Sequence, residues 1–340
     1  MWAFAVRRLL LAVAVLAAVS FGTFALMATK FSSTCISRYT PLGVANPPLA
    51  SNVDQAANLY WEWVKGIPSG RSFGVVCGGE VAQKVGPAAL HTAALLGSTA
   101  LLVVVFSLLL GTLAATRAGS TVDVLLRGFS YAGWAIPSFV LALVLQSILS
   151  WAGRTYGFHW FALTGWPGSC SFNPGSSVSS CEHTGGAFHH MLLFVRHLAV
   201  PAVALSVAFI GLHSRYLRSS LLVALNAPYT TTARAKGLPE RTVVLRHALR
   251  NSLSTFTSAL LLDLGAIFGA AMAVDAIFNL NGLGALLLTE IGGIGGGDGP
   301  RYLNPYAIET LLMAAAALVI ASSVVAEISV ASLDPRARLR

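Results

Sequence analysis

Residues 90 to 115 read LHTAALLGSTALLVVVFSLLLGTLAA, a run without one charged side chain. As a helix it is about 39 Å long, more than the roughly 30 Å needed to cross a hydrocarbon core. Comparable apolar runs recur near 9 to 28, 124 to 151, 192 to 213, 255 to 279 and 306 to 330, so six spans are expected. Composition agrees. Hydrophobic residues make up 55% of the 340, charged residues only 10%, and mean hydropathy is +0.71, a balance foreign to water-soluble domains. The expected fold is an all-α integral membrane protein, with residues 1 to 340 forming one transmembrane domain. The first run follows Arg7 and Arg8 as a signal peptide would, but it is longer than a usual signal core and lacks a small-residue cleavage site, so a retained span is expected.

Orientation follows from Lys and Arg, because basic loops are retained on the cytoplasmic side. Placing both termini inside puts Arg7, Arg8, Arg117, Arg127, the basic residues from Arg215 to Arg250, and Arg336, Arg338 and Arg340 on short inner segments. The remaining basic residues are spread over much longer outer loops. The large ones are 29 to 88, Pro-, Gly- and Ser-rich with an aromatic segment NLYWEWVKGIP suited to the membrane interface, and 152 to 191. A third, 281 to 305, contains GGIGGGDGP and is expected to be irregular. Cys35, Cys77, Cys170 and Cys181 all fall in the two large loops, where an oxidising compartment permits disulfides. Four cysteines allow three pairings; Cys35 with Cys77 and Cys170 with Cys181 is the simplest, because SFNPGSSVSS between the last two is rich in turn formers.

Catalytic and metal motifs carry little. GRSFG at Gly70 to Gly74 fits a hydrolase nucleophile pattern around Ser72, but lacks the strand, strained turn and helix that such chemistry needs. His183, His189 and His190 lie near Cys170 and Cys181 without the spacing of a standard metal site, so no metal is expected. No G-x-x-x-x-G-K-[ST] phosphate loop exists, so any nucleotide-powered step belongs to another chain. Acids within spans are costly and by default face the bundle interior or a watery path. Hydration near span ends is the simple account of Asp275, Glu309 and Glu327, whereas Asp263 lies deeper. Pro137 should kink the third span. Pro137, Ser138, Asp263 and Asp275 are the pathway candidates.

The residues from Tyr229 to Asn251, YTTTARAKGLPERTVVLRHALRN, break the apolar pattern with Arg234, Lys236, Arg241, Arg246 and Arg250. Pro228 can open a helix, Gly237 can end it in the left-handed conformation, and Pro239 can start another. The spacing predicts a helix over about 228 to 236, a sharp turn, and a second helix over about 239 to 251, within a cytoplasmic loop of 214 to 252. Small Ala233, Ala235 and Gly237 allow a partner to approach closely, and the basic residues surround them. Charge alone leaves two readings open, an anchor to anionic lipid of the bilayer and a dock for a cytoplasmic protein. No nucleic-acid partner is expected.

TARAKGLPERTVVLRHALRN resembles the cytoplasmic loop of permease subunits of binding-protein-dependent ABC importers, of the dipeptide, oligopeptide and nickel class. AIPSFVLALVL, VDAIFNLNGLG and the terminal LDPRARLR agree in order, and Glu327 stands seven residues before Asp334, where the family usually has an acid. The resemblance covers about residues 66 to 340. It implies a six-span permease, without catalytic residues, that pairs with a homologous second permease, sits on two ATPase subunits and receives ligand, most simply a short peptide, from an extracytoplasmic binding protein. It implies that Thr231, Thr232, Ala233, Arg234, Ala235, Lys236, Gly237 and Leu238 form the coupling element on the ATPase, with Arg234 and Lys236 as polar contacts. No cofactor is implied in this chain, ATP and Mg being held by the ATPase subunits. The sequence departs from the family's usual pattern in loop one, where MATKFSSTC replaces a Pro-Gly-Asp-Pro-like segment, near Ala89, and at Ser254, where the family has Pro. The alternative function is an ion-coupled secondary transporter using Asp263 and Asp275; nickel complexes and oligosaccharides are the alternative cargoes.

Overall fold

The computed structural model describes residues 2–30, 50–66, 75–76, 79–166, 187–292 and 305–333. The two expected cysteine pairs, the GRSFG pentapeptide and His183 lie outside the described residues. In chain order the elements are α1 (Trp2–Lys30), α2 (Val53–Gly66), β1 (Val75–Val76), β2 (Gly79–Glu80), α3 (Val81–Thr116), α4 (Thr121–Ala135), α5 (Ser138–Tyr156), α6 (Ala187–Leu225), α7 (Pro228–Ala235), α8 (Glu240–Thr242), α9 (Leu249–Phe278), α10 (Leu283–Gly292) and α11 (Pro305–Leu333). A π-helical segment, Val243–Ala248, joins α8 to α9 without a break. The two-residue strands pair antiparallel, Val75 opposite Glu80 and Val76 opposite Gly79.

Four described helices are long and apolar enough to cross a membrane: Lys84–Thr116, Ser138–Tyr156, Met191–Leu225 and Glu240–Phe278. Shorter apolar stretches, Leu16–Thr29 and Ile308–Ala321, lie within α1 and α11. Three of the four long helices carry outward-facing Leu101, Leu109, Val223 and Leu262, all more than half exposed, an arrangement suited to lipid. The helix Ala187–Leu225 has 39 residues and is about 58 Å long, roughly twice the hydrocarbon thickness, so it projects beyond the bilayer.

Several expected boundaries are corrected. The third span is not one kinked helix over 124 to 151. Ile136 is extended (φ −90, ψ 120) and Pro137 likewise (φ −57, ψ 135), so α4 stops and α5 starts afresh. The pyrrolidine ring drives its predecessor out of the helical region, and here no continuation rescues it. The helix after Pro239 does not stop at 251 but continues to Phe278, and α6 reaches Leu225. The expected irregular loop 281 to 305 begins with α10. Asp275 and Glu309, expected to be hydrated, are 0% and 1% exposed.

The chain divides into two compact units, Met1–Ala93 with Leu280–Ile320, and Ala94–Asn279 with Ala321–Arg340. In the first, Phe24, Ala28, Ala50 and Ala56 form a small core joined by Tyr60, and the rings of Phe21, Phe24, Tyr60 and Trp63 pack together. The NLYWEWVKG aromatics thus belong to α2, which packs on α1. Thr23 Oγ1 donates to Glu309 Oε2 at 2.8 Å, and Tyr60 Oη donates to Ser20 Oγ at 3.0 Å. In the second unit α6 is the hub, packing against α4, α5 and α9.

Candidate functional site

The turn between α6 and α9 is built from its punctuation. Ala227 is extended (φ −75, ψ 151), as a residue before proline prefers, and Pro228 occupies the first turn of α7, where its missing N–H costs nothing. At the other end Gly237 takes φ 74; its N–H donates to the Arg234 carbonyl at 2.9 Å, and that of Leu238 to the Ala233 carbonyl at 3.4 Å. This is a Schellman cap, and the left-handed residue it requires is the reason for glycine. A Cβ at Gly237 would meet nothing within 4 Å, so backbone angle and not internal crowding selects it.

α7 has eight residues and two distinct faces. Thr230 and Ala233 are buried. Thr230 Oγ1 lies 2.6 Å from the Ala227 carbonyl and 3.0 Å from those of Ala224 and Leu225, oxygens that the end of α6 leaves without intrahelical donors. Around this contact Ala115, Leu221, Ala224, Leu225, Val244 and Ala248 form an apolar cluster, with Leu222 and Leu249 at its edge. The π-helical segment therefore serves as half of the seat on which α7 rests. Opposite, Thr231, Thr232, Ala235, Lys236, Gly237 and Leu238 are exposed.

Of the eight residues expected to form one contact surface, seven are exposed and Ala233 is buried. Ala233 faces the body. Arg234, although exposed, is also tied back to the chain: its Nε and Nη2 donate to Glu240 Oε2 and Oε1 at 3.0 and 2.7 Å, and its Nη1 donates to the Leu225 carbonyl at 3.0 Å.

The pathway candidates are distributed along α5 and α9. Pro137 caps α5, its carbonyl accepting from the N–H groups of Val140 and Leu141, and Ser138 is buried in the first turn. Asp263 Oδ2 stands 3.4 Å from Nε2 of His213, a fully buried residue of α6 that sequence reading did not single out. The other nitrogen, His213 Nδ1, is 2.8 Å from the Phe209 carbonyl, which makes Nδ1 the donor.

Sequence reading also missed the brace that steadies α6 above this turn. Arg218 grips buried Asp123 of α4 with two bonds of 2.7 and 2.8 Å, and Asp123 Oδ2 accepts from the Gly119 N–H at 3.1 Å. The two-pronged contact offsets the charge of the buried carboxylate. A signal was available, since Ser120 and Asp123 have the spacing of a capping box, and the Asp123 N–H does donate to Ser120 Oγ, at 3.3 Å. Further along the α4 and α6 seam, Ser130 and Ser214 hydroxyls are 3.0 Å apart, and a Cβ on Gly211 would sit 2.5 Å from the Ser130 carbonyl oxygen. The helices cross so closely there that only glycine fits. Arg215 lies over the rings of Tyr131 and Trp134, 4.6 and 5.5 Å from their centroids.

Several apolar helices long enough to cross a membrane, with a short, two-sided helix between two of them, are the features on which comparison bears. Residues 107–339 match the family described as "Binding-protein-dependent transport system inner membrane component". The chain belongs to that family. The match begins within α3 and takes in α4 to α9, including α7 and its seat. Among similar proteins, the oligopeptide transport system permease protein AppB of Bacillus subtilis (strain 168) is 26% identical over 351 residues, 99% of each chain. The oligopeptide transport system permease protein OppB of Escherichia coli (strain K12) is 32% identical over 208 residues, 61% of this chain and 55% of the relative. A candidate peptide permease of Brucella suis biovar 1 (strain 1330) is 28% identical over 271 residues, 78% of this chain and 73% of the relative. This inner membrane component is a multi-pass membrane protein and a transport subunit, not itself the catalyst.

Proposed function

We propose that this inner membrane component is the transmembrane subunit of an ATP-driven peptide importer and forms half of its translocation pathway. The observation that carries the reading is the similarity to an oligopeptide transport permease along 99% of both chains. In this reading residues 1 to 340 act as one permease domain with six spans, α1, α3, the α4 and α5 pair, α6, α9 and α11, and both termini are cytoplasmic. A homologous second permease supplies the other half of the pathway. Two ATPase subunits bind ATP and Mg, and this chain holds no cofactor. An extracytoplasmic binding protein delivers peptide to the outer loops. The exposed residues Thr231, Thr232, Ala235, Lys236, Gly237 and Leu238 seat on an ATPase subunit, and closure of the ATPase pair rocks the spans between inward-open and outward-open states. Pro137, Ser138, Asp263 and Asp275 remain the pathway candidates.

The test is uptake of a labelled short peptide by proteoliposomes holding this subunit, its partner permease, the ATPase subunits and the binding protein. Uptake that requires ATP and survives an ionophore supports the reading. Uptake that proceeds without ATP and stops when the proton gradient is collapsed rejects it in favour of ion coupling through Asp263 and Asp275.

A further inference from the structure

α7 is only eight residues, about 12 Å, and hangs between two short connections, at Asn226 and Ala227 and at Lys236 to Pro239. A helix tethered only in this way would swivel when pushed. Thr230 fixes one point, under the end of α6. Arg234, one turn further on, fixes the second. Its planar fork takes both oxygens of Glu240, and the remaining bond goes to the Leu225 carbonyl, on the terminus where α6 carries its partial negative charge. Three of the five guanidinium donors are therefore directed into the chain, toward the last residue of α6 and the first residue of α8.

We propose that Arg234 is a positioning residue, a strut that locks α7 to the ends of both neighbouring helices, so that movement of α7 is transmitted to α6 and α9 together. Its role is not contact with the ATPase. The strut is what makes the turn a rigid lever: two anchors at i and i+4 on α7 set its orientation as well as its place, and the buried pad of Leu221, Leu225, Val244 and Ala248 bears the load. α8 passes through the π-helical segment into α9, and that segment is itself buried at Val243, Val244 and Ala248, so force entering at Glu240 reaches a span through packed structure. Because the ion pair is exposed, removing it loosens the lever and does not unfold the subunit.

This inference rests on the reading that α7 meets an ATPase, and the experiment separates the two. The reconstituted complex is prepared with Arg234→Ala, Glu240→Ala, the double variant, and Leu238→Glu on the outward face. Two quantities are read: ATPase subunit retained on purification, and peptide taken up per ATP hydrolysed. The strut predicts that Arg234→Ala and Glu240→Ala keep the ATPase bound while uptake per ATP falls about 2- to 5-fold, the range for an exposed charge-assisted pair, and that the double variant falls no further. Arg234→Lys, lacking the fork, restores at most part of the loss and replaces Arg234→Ala should that variant be poorly produced. Wild-type coupling in Glu240→Ala, or losses that multiply in the double variant, overturns the strut. Release of the ATPase by Arg234→Ala but not by Glu240→Ala also overturns it, and makes Arg234 a direct contact. Failure of the underlying reading looks different: Leu238→Glu would keep both ATPase binding and uptake.

Discussion

Gly237 offers a test in which size and conformation predict opposite orders. Its φ of 74 lies in the left-handed region, and a Cβ would meet nothing within 4 Å, so the cost of a side chain in the isolated subunit is backbone strain alone. For an ordinary L residue that strain is about 1–2 kcal/mol, a shift of roughly tenfold between capped and uncapped turns. Asparagine enters the region far more readily, and this chain already places Asn279 and Asn281 there, at φ 48 and 56. Gly237→Ala is therefore expected to lower uptake per ATP by up to about tenfold, while the bulkier Gly237→Asn retains most of it. The assay is peptide uptake and ATP hydrolysis measured together in proteoliposomes, with ATPase retention as the check on assembly. If Asn is as damaging as Ala, or worse, then room for a partner and not the cap geometry is what Gly237 supplies, and the reasoning fails.

Other outcomes follow from the braces around the turn. Gly211→Ala drives a Cβ to 2.5 Å from the Ser130 carbonyl and should destabilise the detergent-purified subunit by about 1–3 kcal/mol, whereas Gly128→Ala, which meets nothing within 4 Å, should be neutral or slightly stabilising by thermal unfolding. Asp123→Asn leaves Arg218 without its carboxylate and is expected to cost about 3 kcal/mol, seen as a lowered Tm. Thr230→Val, which leaves carbonyls at the end of α6 without their hydroxyl partner, should lower stability by about 1–3 kcal/mol, and Thr230→Ser should not, as measured by the same thermal unfolding.

What the sequence by itself determined is whatever rests on local chemistry. A run of apolar residues longer than the bilayer is thick specifies a span wherever it packs, and Pro228, Gly237 and Pro239 specify a helix, a left-handed stop and a new start through their own backbone restrictions. Hence the short helix and its break at Gly237 were legible, as was a disturbance at Pro137. Tertiary structure decided which way each residue faces and with whom it bonds. Arg234 and Lys236 are alike in charge, two positions apart and both exposed, yet it is Arg234 whose side chain reaches Glu240 and Leu225, because α7 must lay Thr230 and Ala233 on the pad formed by α6 and the π-helical segment. Asp123 finds Arg218 across 95 positions and Asp263 finds His213 across two helices, partnerships that depend on how α4, α6 and α9 cross and therefore have no periodicity along the chain. Glu309, near the start of its helix, is buried against Thr23 and not hydrated for the same reason: burial is a property of neighbours brought from elsewhere, and one strand of sequence carries only half of each contact.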